Sequence, residues 1–163
     1  MRKALLGVVL ILVMTAIPVL AQPGEGDYTF VKKGYCFFEG NMFGAVGMLE
    51  PIQPDNPPID YDFGSYEVTW AILDLEIVAE IPLGPDVMRY EFGPGFIGLY
   101  EDPGFDLDYG NSPADGIATA TNGTPSLVGE FLGGSYMFNS ATELGTFLGD
   151  CVFNDGSRYG ELE

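Results

Sequence analysis

Residues 65–81 read SYEVTWAILDLEIVAEI and carry the strongest β-strand pattern in the sequence. Apolar side chains occupy alternate positions from Tyr66 to Ile72 and then alternate in the opposite phase from Leu73 to Ile81. Period-two alternation is typical of a strand with one buried face, whereas a helix would not place acidic residues between those apolar ones. Because a change of phase turns side chains to the other face, we expect a bulge or sharp bend near Ile72 and Leu73, and a buried Trp70.

The rest of the chain carries roughly ten short strand-like segments separated by glycine and proline turns. This pattern predicts an all-β fold: a single-domain antiparallel β-sandwich, jelly-roll-like, with at most one short helix. Gly93-Pro94-Gly95 predicts a hairpin between residues 87–92 and 96–101, and residues 117–121 are expected to form a strand. Residues 140–148 fit either a helix or a strand, and residues 50–64 and 102–116 are expected to be long loops.

The first 21 residues have the composition of an export signal. Arg2 and Lys3 precede the apolar residues 4–14, and small residues precede a cleavage point after Ala21. We therefore predict a signal peptide over residues 1–21, a flexible N-terminus over 22–27 and a β-sandwich domain over 28–163. The alternative is an uncleaved membrane anchor, since spanning a bilayer takes ~20 residues. After cleavage we expect no stable membrane span, and we expect the protein to be secreted, periplasmic or at the cell surface.

The charge of the chain is strongly negative. The whole sequence has 24 acidic and 6 basic residues, a formal net charge of −18. Removing Arg2 and Lys3 with the signal leaves four basic residues against the 24 acidic ones, a net charge of −20. Such a surface repels phosphate backbones, which excludes nucleic acid as a partner, and it attracts divalent cations.

Two cysteines, Cys36 and Cys151, fall in the predicted domain. An even pair in an exported chain usually forms a disulfide, and we predict that these two are bridged. The alternative is a pair of buried thiols.

The chain contains no histidine, which removes Ser-His-Asp and Cys-His catalysis and the common zinc sites. Carboxylates remain available for catalysis, because glycoside hydrolysis needs only two of them. Asp74 and Glu76 would share one sheet face, and Glu80 with either Glu91 or Glu101 could join them. Outward charges opposite an apolar face are also the ordinary state of a half-buried strand, so we assign no catalytic residue.

The loop EDPGFDLDYGN, residues 101–111, is the better candidate for a cation site. Ca²⁺ takes 6–8 oxygen ligands from a bendable loop, which makes calcium the one candidate cofactor. The candidate ligands offer side-chain oxygens from this loop and the residues just after it: Asp102, Asp106, Asp108, Asn111 and Asp115. The alternative is a solvated acidic turn.

Asn122-Gly123-Thr124 matches a glycosylation sequon, and Asn-Gly is equally a plain turn signal. The abundant aromatic residues could stack on sugar rings if exposed, although their alternation within strands favours core packing.

Three segments together resemble a group of uncharacterised secreted bacterial β-rich proteins that often carry a PEP-CTERM sorting tail. The segments are YEVTW (66–70), YEDP (100–103) and NGTPSLVGEF (122–131). The chain departs from the group at Asn122, where the group often has aspartate, and no Pro-Glu-Pro tail follows. The resemblance implies an exported β-rich protein and transfers no catalytic residue.

These observations predict an exported, non-catalytic β-sandwich protein with a binding or structural role at the bacterial envelope or in the extracellular matrix. Its expected ligands are glycan or calcium, and its expected partners are polysaccharide or other envelope proteins. One alternative is a carboxylate-dependent glycoside hydrolase or lyase, and another is a small outer-membrane β-barrel, which alternating strands allow.

Overall fold

A computed structural model describes residues 9–12, 15–16, 28–29, 32–49, 59–108 and 112–162, with side chains from residue 34 onward. The strands are β1 (Val9–Leu12), β2 (Thr15–Ala16), β3 (Tyr28–Thr29), β4 (Lys32–Glu39), β5 (Met42–Leu49), β6 (Glu67–Pro82), β7 (Val87–Phe92), β8 (Gly95–Asp102), β9 (Thr124–Asn139) and β10 (Leu144–Asp155). One α-helix, α1 (Pro113–Ala120), precedes β9, and a short 3₁₀ helix, Tyr159–Leu162, follows β10. Among the residues so described, no helix has the length and apolar composition needed to cross a membrane.

Strands β4 to β10 form one antiparallel sheet with the order of a meander, in which β7 and β8 together occupy the single position between β6 and β9. The sheet folds over itself, so the Phe43 ring of β5 lies 5.7 Å from that of Phe147 on β10, centroid to centroid. The predicted all-β antiparallel sandwich with at most one short helix is confirmed for the part of the chain that the structure describes. β1 and β2 lie in the region predicted as a signal peptide, and both pair in parallel with β10. β3, which follows that region, pairs with β2.

Strand β6 contains the predicted change of phase. Ile72 pairs with Ala45 of β5, and three residues later Leu75 pairs with Phe43, only two residues away on the partner strand. The extra residue is accommodated near Asp74, whose φ of 60° is left-handed. Leu75 is therefore as fully buried as Trp70, and both the bulge and the buried tryptophan are confirmed.

The Gly93-Pro94-Gly95 hairpin was predicted wrongly. β7 and β8 follow one another along the same gap between β6 and β9, so the chain continues in one direction past these residues. The reversal lies at residues 83–86, where the Leu83 N–H donates to the Val87 carbonyl at 2.9 Å. Glycine and proline interrupt a strand both where the chain kinks and where it reverses, so the local sequence does not distinguish the two.

Residues 113–120 form a helix, whereas the sequence predicted the end of a loop followed by a strand. Ser112 is its N-cap: the Ser112 Oγ accepts from the Asp115 N–H at 3.3 Å and donates to the Asp115 carboxylate at 2.7 Å. Pro113, just after the cap, already has the fixed φ that a first helical turn needs. Residues 140–148, which fitted either a helix or a strand, form a turn followed by the first part of β10.

Helix α1 covers the outer surface of the sheet. Its Ala120 packs with Val46, Ala71 and Tyr100 in a small second apolar cluster. The buried Thr69 hydroxyl of β6 donates to the Ala120 carbonyl at 2.6 Å, which holds the C-terminal end of the helix against the strand.

The predicted disulfide between Cys36 and Cys151 is not formed in this structure. Both residues are buried thiols in the main core cluster, Cys36 on β4 and Cys151 on β10. The Cys36 thiol instead donates to the Tyr136 hydroxyl at 3.4 Å, and burial raises the pKa of the thiol. A protonated, buried thiol packs as a small apolar side chain and does not need a bridge to be accommodated.

Candidate metal centre

Three carboxylates meet where β6 begins and β8 ends. Glu67, the first residue of β6, lies directly opposite Asp102, the last residue of β8, in the antiparallel register. Asp106 comes from the loop that follows β8. One carboxylate oxygen from each residue lies within 4.8 Å of the other two, a spacing that could hold a metal ion.

Asp102 gives this cluster its chemical character. Its side chain is buried, with 7% of the residue exposed, and its Oδ1 accepts a hydrogen bond from the Gly104 N–H at 2.8 Å. Its Oδ2 is buried without a hydrogen-bond partner. Burying an unpaired carboxylate oxygen is costly unless a donor or a cation compensates it. A cation bound between the three carboxylates would supply that compensation.

The loop after β8 curls back over the two strand ends. The Leu107 N–H donates to Glu67 Oε1 at 2.9 Å, which ties the loop to β6. Phe105 has a φ of 49°, a left-handed conformation that reverses the chain between Asp102 and Asp106. Both strand register and loop curvature are therefore needed to bring the three carboxylates together.

Two further contacts join this loop to α1 and to the turn after it. The Asp108 N–H donates to Thr119 Oγ1 at 3.1 Å, and Thr119 Oγ1 donates to the Asp108 carbonyl at 2.8 Å. The Asn122 side-chain amide donates to both Asp106 oxygens, at 3.0 and 3.3 Å. An ion at the cluster would thus act on β6, β8, the loop and the helix together.

Of the five residues that the sequence analysis proposed as calcium ligands, the structure places Asp102 and Asp106 in the cluster. Asp108 meets the helix through its backbone, and Asp115 lies at the helix N-terminus, where its carboxylate accepts from Ser112. Asn111 lies outside the described residues.

Sequence reasoning missed Glu67 and Asn122. Glu67 lies 35 or more positions before the predicted loop, and only the register of β6 against β8 brings it there. Asn122 was noted as a turn signal, and its contact with Asp106 depends on where α1 ends. Neither position carries a local signal that would have connected it to the loop.

The basic residues within 34–49, 59–108 and 112–162 are Arg89 and Arg158, and both are paired elsewhere. Arg158 forms a bidentate pair with Glu101, with Nε–Oε2 at 2.8 Å and Nη2–Oε1 at 2.7 Å. Arg89 contacts Glu91 at 3.0 Å. Within these ranges, then, the negative charge of the cluster is not offset by an arginine ion pair.

The carboxylates considered for glycoside hydrolysis are exposed on strands, line an open groove or are engaged in an ion pair. Asp74, Glu76 and Glu80 are exposed along β6, and Glu101 is engaged by Arg158. Glu91 lines a shallow groove of about 450 Å³ on the outer surface of β7, β9 and β10, which Asp150 also lines.

No protein-family model, curated protein sequence or solved structure matches this chain.

Proposed function

We propose that this chain is an exported, non-catalytic β-sandwich protein with a binding or structural role at the bacterial envelope or in the extracellular matrix, and that Glu67, Asp102 and Asp106 hold a calcium ion. The observation that carries the proposal is the buried, unpartnered Oδ2 of Asp102 beside two other carboxylates. The N-terminal residues 1–21, with their basic and apolar composition, support export.

Calcium fits the donor set better than other common ions. The three side chains offer only oxygen, which suits calcium or magnesium, whereas zinc sites use histidine or cysteine. Asp106 lies on a loop and not on a strand, which suits the variable geometry of calcium, whereas magnesium demands a small, near-ideal octahedron. Backbone carbonyls and water would complete the 6–8 oxygens that calcium takes.

The ion would have a structural role and would stabilise the fold. Its charge would relieve repulsion among the three carboxylates and would hold the loop against β6 and β8. Because the loop is bonded to α1 through Asp108 and Thr119, the helix would be held as well. The proposed partners are polysaccharide or other envelope proteins, and the strongly acidic composition disfavours nucleic acid.

Calcium titration of the full chain tests the proposal. We expect calorimetry to show binding. Thermal unfolding at constant ionic strength should show a higher midpoint, which corresponds to a gain of about 2.7 kcal/mol in the free energy of unfolding at a hundredfold excess of calcium over Kd. Asp106→Asn should abolish most of the shift. Asp115→Asn, which removes the same charge from the neighbouring helix cap, should retain it.

Asp102→Asn should change the free energy of unfolding in opposite directions without and with calcium. Without calcium this variant should be more stable than the wild type, by about 1–3 kcal/mol, because a neutral amide replaces an unpaired buried charge. With calcium it should be the less stable of the two, because a ligand is lost. A variant that is destabilised in chelator and still binds calcium would contradict the proposed site.

A further inference from the structure

Asn122 lies in the connection between α1 and β9, next to the metal cluster. Asn122 is exposed and is followed by Gly123. It is the one asparagine in the sequence that precedes a glycine. A Cβ at Gly123 would lie 2.8 Å from the Glu101 carbonyl oxygen and 3.1 Å from Asp102 Cβ. The packing of β8 therefore requires glycine at this position and keeps the Asn-Gly pair beside the cluster.

An Asn-Gly pair is the sequence most open to deamidation, because the glycine has no side chain to hinder attack by its backbone nitrogen. Solvent removes the Gly123 N–H proton, and the nitrogen attacks Cγ of Asn122. The Cγ–Nδ2 bond breaks, ammonia leaves and a five-membered cyclic imide forms. Water then opens the imide at either carbonyl, which yields aspartate or isoaspartate. The step is a hydrolysis and needs no partner other than water.

We infer that Asn122 is a deamidation site whose conversion adds a fourth carboxylate to the calcium centre. This inference rests on the proposed function, because the consequence is read at the same ion. The Asn122 amide now donates to both oxygens of Asp106. After conversion, a carboxylate would face Asp106 in place of a donor, which raises repulsion in the empty site and attraction for a cation in the filled one.

Conversion of Asn122 should destabilise the calcium-free protein and strengthen its binding of calcium. Without calcium, the converted protein should unfold at a lower temperature than the wild type. With calcium, its affinity should rise roughly tenfold, as expected for one added charge close to a divalent ion at a solvated site. Deamidation would then strengthen calcium binding as the exported protein ages.

Peptide mapping by mass spectrometry tests the chemistry. The full chain is incubated in mildly alkaline buffer containing chelator, and amide loss is followed at each asparagine. We expect loss at Asn122 well ahead of Asn139 and Asn154, which precede Ser140 and Asp155. If Asn122 keeps its amide while a synthetic peptide of residues 118–126 loses it, the inference is overturned.

Calorimetric calcium titration of Asn122→Asp and Asn139→Asp tests the consequence. Asn122→Asp should bind roughly tenfold more tightly than the wild type, and Asn139→Asp, which adds the same charge at the other end of β9, should bind like the wild type. If the wild type and Asn122→Asp bind equally, the proposed function stands and this inference fails. If neither protein binds calcium, the proposed function fails. The inferred effect of Asn122 deamidation on calcium binding then fails as well, even if Asn122 loses its amide.

Discussion

Trp70 is the largest fully buried side chain of the described core. Gly34 of β4 lies directly against it, since a Cβ there would come within 2.6 Å of the indole Cζ2. The glycine thus leaves the space that the ring fills. Such close packing makes the position sensitive to any loss of volume.

Truncation of Trp70 should therefore be costly. We expect Trp70→Ala to lower the free energy of unfolding by about 3–5 kcal/mol, because it removes apolar burial and leaves a cavity. Chemical denaturation checks the value, and Trp70→Phe should lose less because it retains a ring. A loss below about 1 kcal/mol for the alanine variant would mean that the core collapses into the space.

At the scale of elements, the sequence of β6 predicted its own bulge because alternation is a local property of the chain. The helix α1 was missed, since a helix of 8 residues containing threonine and glycine has a weak periodic signal. Its start was nevertheless readable: Ser112-Pro113 followed by Asp115 is a capping sequence.

The candidate site was predicted only in part for a different reason. Asp102 and Asp106 lie on one loop and could be grouped from their spacing. Glu67 joins them through pairing between β6 and β8, and the two strands are separated by β7 along the chain. Long-range register depends on the packing of the whole sheet, so a local pattern does not reveal it.

Arg158 links the end of the chain to the centre of the sheet. Its guanidinium forms the bidentate pair with Glu101 and lies over the ring of Tyr61, 5.4 Å from the centroid. The hydrogen bonds that Arg158 donates to Glu101 raise the pKa of Arg158, and burial raises the pKa of Tyr61 to about 12. The 3₁₀ helix that begins at Tyr159 is thereby anchored to β8.

Replacing this arginine should show that its shape matters as well as its charge. We expect Arg158→Lys to cost about 1.5–3 kcal/mol, because an ammonium group cannot make two parallel bonds to Glu101. Arg89→Lys is the matched control: its pair with Glu91 is largely exposed and should contribute under about 1 kcal/mol. Equal losses for the two variants in urea denaturation would argue against a special role for the Arg158 pair.

At the scale of the whole molecule, negative charge is largely uncompensated. The chain has a formal net charge of −18, and the two arginines with described side chains are both committed to glutamates. Self-repulsion of this kind keeps a protein soluble and weakens its folded state. The effect acts between many exposed carboxylates and is distinct from the local repulsion at Glu67, Asp102 and Asp106.

Screening should therefore stabilise the fold even without calcium. In chelator, raising sodium chloride from 0.01 M to 1 M shortens the Debye length from about 30 Å to about 3 Å. We expect a gain of about 1 kcal/mol, seen as a rise of roughly 2–4 °C in the midpoint of thermal unfolding. Choline chloride should act equally, because screening depends on ionic strength and not on the cation. A midpoint that falls with salt, or that rises with sodium alone, would contradict general self-repulsion; the second result would point to sodium binding at a specific site.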